Sequence, residues 1–318
     1  MAYACCGPGK RRRVCRHMPA LLDPTLDVVF ALLFSSAKNH NLLVSLLTAV
    51  LQPGVPIGDV TVLNPDLPKQ LVSERGAVLD VLVSLEDGRQ VNVEMQSRYQ
   101  SGLPQRVLYY WAGMFRAQLG QGTVFTDLTP CVSILIGKRR ELPGERYHST
   151  FRILEVHEHS VFAPELELHT LELPKLPKRA RGRREAAVVQ WGRFLAAKTE
   201  PELQELAMAD PIFEKAKSAL ELLSSDPQAQ ELARRRELAL WETRRQEAFA
   251  RKEGEERGRA EGRAEGRVEG LRQAVLTACE LLAVEVDAHR QAIIDSLDAD
   301  GLERLLTSLR QNRSWPDE

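Results

Sequence analysis

Residues 77–97 read Ala77-Val-Leu-Asp80-Val-Leu-Val-Ser-Leu85-Glu-Asp87-Gly88-Arg-Gln-Val-Asn-Val-Glu94-Met-Gln96-Ser97, and the fold turns on them. Two β-rich runs flank Asp87-Gly88, a dipeptide that favours a hairpin turn. The second run alternates: Val91, Val93 and Met95 face one way, and Asn92, Glu94 and Gln96 the other. The first run is nearly all apolar from Val78 to Leu85, the pattern of a strand buried on both faces. Asp80 interrupts it. A lone carboxylate in an apolar strand is costly unless it is paired or binds a cation.

The turn decides what faces what. A strict two-residue Asp-Gly turn pairs Asp80 with Met95 and sends Asp80 and Glu94 to opposite faces, because a one-residue slip flips every side chain. A three-residue loop, Glu86-Asp87-Gly88 with Gly88 left-handed, pairs Leu85 with Arg89 and sets Asp80 directly opposite Glu94. Opposed carboxylates at roughly 5 Å repel unless a cation lies between them or one is protonated. The expectation is therefore the three-residue hairpin, with a hard divalent cation, Mg²⁺, between Asp80 and Glu94. Exposed acids on an edge hairpin are the alternative.

Asp80 followed by Glu94-Met95-Gln96 on the next strand resembles the core motif of PD-(D/E)xK nucleases, with Gln96 at the lysine position. The surroundings narrow this: Asp27-Val-Val-Phe30 with Phe34 before the hairpin, then Arg106 with Tyr109-Tyr110, then Gly122-Thr-Val-Phe125, and glycine-rich repeats near the C-terminus. The ordered set is similar to the Rpn-type recombination-promoting nucleases, also described as PD-(D/E)xK family transposases, over about residues 20–175. The resemblance implies an α/β fold: a restriction-endonuclease-like mixed sheet flanked by helices, with a helical C-terminal extension. It implies a metal-dependent DNA endonuclease using Mg²⁺ or Mn²⁺. Asp80, Glu94 and the Met95 backbone carbonyl would hold the ion, and Gln96 would orient the attacking water. Asp27 would sit beside the metal, or else be an N-terminal-turn acid favoured by the helix dipole. Arg106 would hold the scissile phosphate, or else form an ion pair across the sheet. Ala31 stands where the family has Lys, so any contact made by that Lys is absent.

Composition sets the bounds. The 318 residues hold one sizeable domain with an extension, or two domains. A net charge of −1 gives no global pull toward nucleic acid, so DNA contacts must come from local basic patches. With five cysteines, too scattered for a disulfide framework, and no long apolar run, the expectation is a cytoplasmic protein without a membrane span.

Along the chain, residues 1–17 read as an arm or an upstream mis-start, and their Cys and His fit no standard zinc spacing. Residues 18–175 form the nuclease-like domain. Helices are expected at 25–35 and 39–51, a short strand at 60–63, a helix at 103–119, and strands at 130–137, 151–157 and 166–173. The helix at 103–119 offers Val107, Tyr110, Met114 and Leu119 as its apolar face. Gln118 is a weaker site candidate, and Cys131 is a core residue. His157 and His159 would share a strand face, and they read as surface residues.

Candidate DNA contacts are Arg75, Tyr109, and the basic run Lys178, Arg179, Arg181, Arg183 and Arg184 in a linker at 176–184, with Lys175 at its edge. Helices at 185–226 either pack back on the core or form a small domain. Residues 227–318 read as one long charged helix with closing helices at 271–284 and 287–311. Its repeat, Gly258-Arg-Ala-Glu-Gly262-Arg-Ala-Glu-Gly266-Arg-Val-Glu-Gly270, separates Arg and Glu onto opposite faces. It is poor as a lone helix, so it reads as a homo-oligomerisation helix or a flexible linker.

The functional expectation is a Mg²⁺-dependent DNA endonuclease with little base preference, since no reader helix is visible. The competing class is a catalytically weak DNA-binding and assembly protein, favoured by Ala31 and Gln96. A restriction-like enzyme with sequence preference is a third class.

Overall fold

The computed structural model describes residues 21–52, 57–64, 80–97, 102–120, 122, 124–179 and 182–316, with the side chains of Asp80, Arg183 and Arg184 outside that description. Residues 1–17, Arg75 and Arg181 lie outside the described residues.

A mixed sheet forms the frame. Its strands are β1 (Val60–Val62), β2 (Asp80–Leu85), β3 (Gln90–Gln96), β4 (Cys131–Gly137), β5 (His148–Leu154) and β6 (Val161–Glu172). Their order is β1-β2-β3-β4-β6-β5, with β3, β4 and β6 parallel and the other pairs antiparallel. Parallel neighbours need a crossover. The one between β3 and β4 is helix α3 (Leu103–Ala117).

The hairpin has the three-residue loop. Leu85 N–H donates to Arg89 O at 2.8 Å, Gly88 N–H donates to Leu85 O at 3.0 Å, and Gly88 takes φ +85°. Asp80 is then the direct partner of Glu94. β3 and β4 lie in the middle of the sheet, and all seven residues of β4 are buried.

Two layers cover the sheet. Val81, Val83, Val91, Val93, Met95, Ile134 and Ile136 are buried on one face, against α1 (Asp27–Phe34). α2 (His40–Leu51), α4 (Arg183–Ala196), α5 (Glu200–Ala209) and α6 (Pro211–Ser225) extend that layer. Phe34, Trp191, Phe194 and Phe213 form its aromatic centre, with Trp191 and Phe213 ring centroids 5.0 Å apart. The helices expected at 185–226 therefore pack back on the core. α3 lies over the other face, with Trp111 Nε1 donating to Cys131 O at 2.8 Å. Its inward contacts are Leu103, Val107 and Trp111. This corrects the expected apolar face: Val107 and Met114 are half-buried, while Tyr110 and Leu119 are exposed.

Three further readings change. Lys175 is buried and ion-paired with Glu172. It belongs to the core rather than to a solvated linker. His157 and His159 lie in the β5–β6 turn, where His159 takes φ +56°, rather than on a strand, and both are exposed. Arg183 and Arg184 begin α4 instead of ending a linker.

The chain divides into two compact units, 1–239 and 240–318, so the boundary falls inside helix α7 (Pro227–Leu281) rather than before it. The repeat is helical throughout, and the helix runs on to Leu281, past the expected break near 270. In the second unit α7, α8 (Ala288–Ser296) and α9 (Ala299–Asn312) enclose Val275, Cys279, Ile294, Leu302 and Leu309. Asp298 caps α9 by accepting from Gly301 N–H at 2.8 Å, which divides the single closing helix expected at 287–311. Among the described residues no helix is long and apolar enough to cross a membrane.

Candidate active site

Alternation along β3 puts Asn92, Glu94 and Gln96 on the face under α3, and all three are buried. Glu94 is 4% exposed. A carboxylate at that depth requires a compensating partner. α3 supplies one. Gly102, at φ +74°, turns the chain into the helix, and Arg106 lies in the first turn, its N–H donating to Gly102 O at 3.0 Å. Arg106 Nη2 donates to Glu94 Oε1 and, at 2.9 Å, to Gln96 Oε1. One guanidinium nitrogen thus joins the motif carboxylate to the side chain at the motif's lysine position.

Asp80 and Glu94 share a rung of the hairpin ladder, and residues directly opposite on a ladder are the closest cross-strand neighbours. The next position belongs to Met95, whose side chain is buried in the opposite layer. Among the described residues no three His, Cys, Asp or Glu side chains come together. The described oxygen donors are therefore Glu94 and the Gln96 amide, with Asp80 brought in by register. Carboxylate and amide oxygens are the donor chemistry of a hard divalent cation.

Asp27 is placed as the N-terminal-turn acid, the second of its two expectations, and its carboxylate is engaged by a partner that neither expectation named. It lies in the first turn of α1 and is buried. Its carboxylate accepts Val28 N–H at 2.9 Å and takes a two-pronged ion pair from Arg236 of α7, with Nε 2.9 Å from both oxygens. Arg236 carries no motif signal, and its role depends on a partner 209 residues away. Nearby in sequence, Asp23 accepts from Thr25 N–H at 2.9 Å and pairs with Lys138 at 3.0 Å. Burial raises the Asp23 carboxyl, but the Thr25 hydrogen bonds and the Lys138 ammonium outweigh it and bring the group down to about 2. Lys138 follows β4, and its own N–H donates to Gln96 O at 3.1 Å. Neither Asp23 nor Lys138 was legible as a neighbour of this strand end.

Of the remaining candidates, Tyr109 is exposed on α3, and Lys178 and Arg179 are exposed after β6. Gln118 is committed elsewhere. Its amide nitrogen donates to Thr129 O at 3.0 Å and to Cys131 Sγ at 3.0 Å, closing the entry to β4. Cys131 is buried, and burial raises its thiol.

No curated protein and no solved structure matches the chain. A family model described as PD-(D/E)XK nuclease family transposase matches residues 24–247, well over half the chain and spanning the whole sheet. The ordered acids of the hairpin, the mixed sheet and this match agree: the chain belongs to the PD-(D/E)XK nuclease family transposases.

Proposed function

We propose that the protein is a DNA endonuclease dependent on Mg²⁺ or Mn²⁺, with little sequence preference. The observation that supports this is the rung pairing Asp80 with the buried Glu94. In this reading Asp80, Glu94 and the Met95 carbonyl hold the ion, which when bound polarises the scissile phosphate and acidifies a bound water. Gln96 orients the attacking water by hydrogen bonding. The water oxygen bonds to phosphorus, the P–O bond to the leaving strand breaks, and the leaving oxygen gains the proton that the water loses through solvent. Arg106 meets the phosphate oxygens, for which its planar fork is suited. Asp27 is assigned to holding α1 against α7, because its carboxylate is already engaged by Arg236. The basic run Lys178, Arg179, Arg181, Arg183 and Arg184 follows the DNA backbone by charge neutralisation, and the exposed Tyr109 contacts it through its hydroxyl.

The repeat of α7 supports self-association. Among the described residues a Cβ added at Gly258, Gly262, Gly266 or Gly270 would meet nothing within 4 Å, so no described contact requires these glycines. Each nevertheless costs the helix about 1 kcal/mol against Ala. Val268, on the stripe opposite the glycines, packs toward the closing helices, and Arg267 pairs with Glu303 at 2.7 Å. The Gly stripe is flanked by an Arg column and a Glu column. A parallel pair of copies facing on Gly sets each Arg column beside the partner's Glu column, whereas an antiparallel pair sets like beside like. The reading is a parallel homo-oligomer.

Nicking of supercoiled plasmid tests the enzyme, with Mg²⁺ or EDTA, for wild type beside Asp80→Ala. Cleavage that needs both Mg²⁺ and Asp80 is expected. An Asp80→Ala protein that cuts as fast as wild type overturns the metal site. A folded wild type that cuts with no divalent ion tried shifts the assignment to a DNA-binding assembly protein.

A further inference from the structure

The motif's lysine position holds Gln96, yet a cation is present there. Arg106 Nη2 is 2.9 Å from the Gln96 amide oxygen and ion-paired with Glu94. It comes from α3, a different element, ten residues along the chain from Gln96. We propose that Arg106 performs the charge role of the motif lysine, and that Gln96 is the residue that positions it. The proposal rests on the nuclease reading above and assigns the work of one lysine to two side chains.

The chemistry favours this pairing over a chance contact. A lysine at 96 would put an ammonium beside Glu94 by its own reach. A glutamine cannot carry the charge, but its amide oxygen accepts from a guanidinium and fixes where that guanidinium sits. The two partners are held on a rigid strand in the middle of the sheet, and Gln96 is 7% exposed. The donor comes from the first turn of a helix anchored by buried Leu103. The planar guanidinium of Arg106 stabilises negative charge on the phosphate. Arg106 also neutralises Glu94 when no ion is bound, so it competes with a divalent ion for that carboxylate.

The consequence is a reversal of sign between two backgrounds. Gln96→Lys alone introduces the lysine of the general PD-(D/E)xK motif. With Arg106 present, however, it crowds two cations onto one carboxylate, and plasmid nicking falls. In an Arg106→Ala background the same substitution supplies the missing cation, and nicking rises.

The experiment measures Mg²⁺-dependent nicking for wild type, Arg106→Ala, Gln96→Lys and the double variant, with Asp80→Ala as the blank. Mn²⁺ affinity is measured alongside by calorimetry without DNA. Arg106→Ala is expected to lose about 10²–10³-fold in rate, the usual scale for removing one charge-stabilising donor. The double variant should recover to within about tenfold of wild type. Arg106→Ala should bind Mn²⁺ at least about tenfold more tightly, because its competitor for Glu94 is gone.

Should Arg106→Ala misfold, Arg106→Met, which keeps the packing stem, takes its place in both backgrounds. A folded Arg106 variant that nicks at the wild-type rate, or one that Gln96→Lys does not rescue while wild type cuts, overturns the proposal alone. A folded wild type without metal-dependent cleavage overturns the nuclease reading and the proposal together.

Discussion

Asp27 and Arg236 form a buried charge pair, with side chains only 8% and 9% exposed. Removing one partner leaves the other charged and desolvated, while replacing both with apolar groups is often close to neutral. Arg236→Met should therefore cost about 3–5 kcal/mol in urea unfolding, and Asp27→Leu with Arg236→Met should recover most of it. Full additivity of the two losses would show that the pair is not coupled. His148 is a second residue with a readable cost. Burial and the neighbouring His169 lower its imidazolium to about 4, and its Nε2 lies 2.8 Å from His169 Nδ1. The folded state thus resists a proton that the unfolded chain accepts near its ordinary value. Stability is full above about pH 6.5 and falls as pH drops toward about 4, by about 1–2 kcal/mol after allowance for partial exposure. Urea midpoints at pH 7.5 and 5.0 measure it, and His148→Gln should flatten the difference. At this scale the chemical character of Asp27 was plain in the sequence. Its partner was not, because no local signal marks one arginine among many as the buried one.

The β2–β3 hairpin is the element on which the site depends, and its loop sets the register. Gly88 sits at φ +85°, and a Cβ there would come within 3.2 Å of Thr129 Cγ2. Gly88→Ala should cost about 1–2 kcal/mol, from the left-handed backbone and the tight contact. Chemical denaturation reads that loss, and a neutral result would mean that the loop can relax without strain. This element was legible from residues 80–96 alone, since alternation and a glycine turn leave few registers that bury one face. α3 was legible as a helix but only in part in its buried face, Val107 and Met114 and not Tyr110 or Leu119. Trp111 turns inward because the Cys131 carbonyl accepts its N–H, a partner on another strand. Gln118 likewise looked like a site residue and proved to be a clamp on Thr129 and Cys131.

Taken whole, the molecule joins a nuclease-family sheet to a helical unit through one continuous helix, Pro227–Leu281. The parallel-oligomer reading predicts a charge-specific outcome. A Glu261→Arg/Glu265→Arg variant should sediment as a monomer, as should Arg259→Glu/Arg263→Glu, and mixing the two should restore association. Sedimentation equilibrium checks this, and two variants that each associate like wild type would remove the charge columns from the interface. The sequence by itself determined what depends on local pattern: the hairpin and its register, the helical or extended character of most segments, the two acids, and the family. Periodicity and turn chemistry act over a few residues, so one chain carries them openly. Only the tertiary structure decided which charges meet. It placed Arg106 between Glu94 and Gln96, gave Asp27 to Arg236, and buried Lys175 on Glu172. Such pairings are set by how separate elements pack, and the cost of leaving a buried charge unanswered selects the partner only once that packing exists.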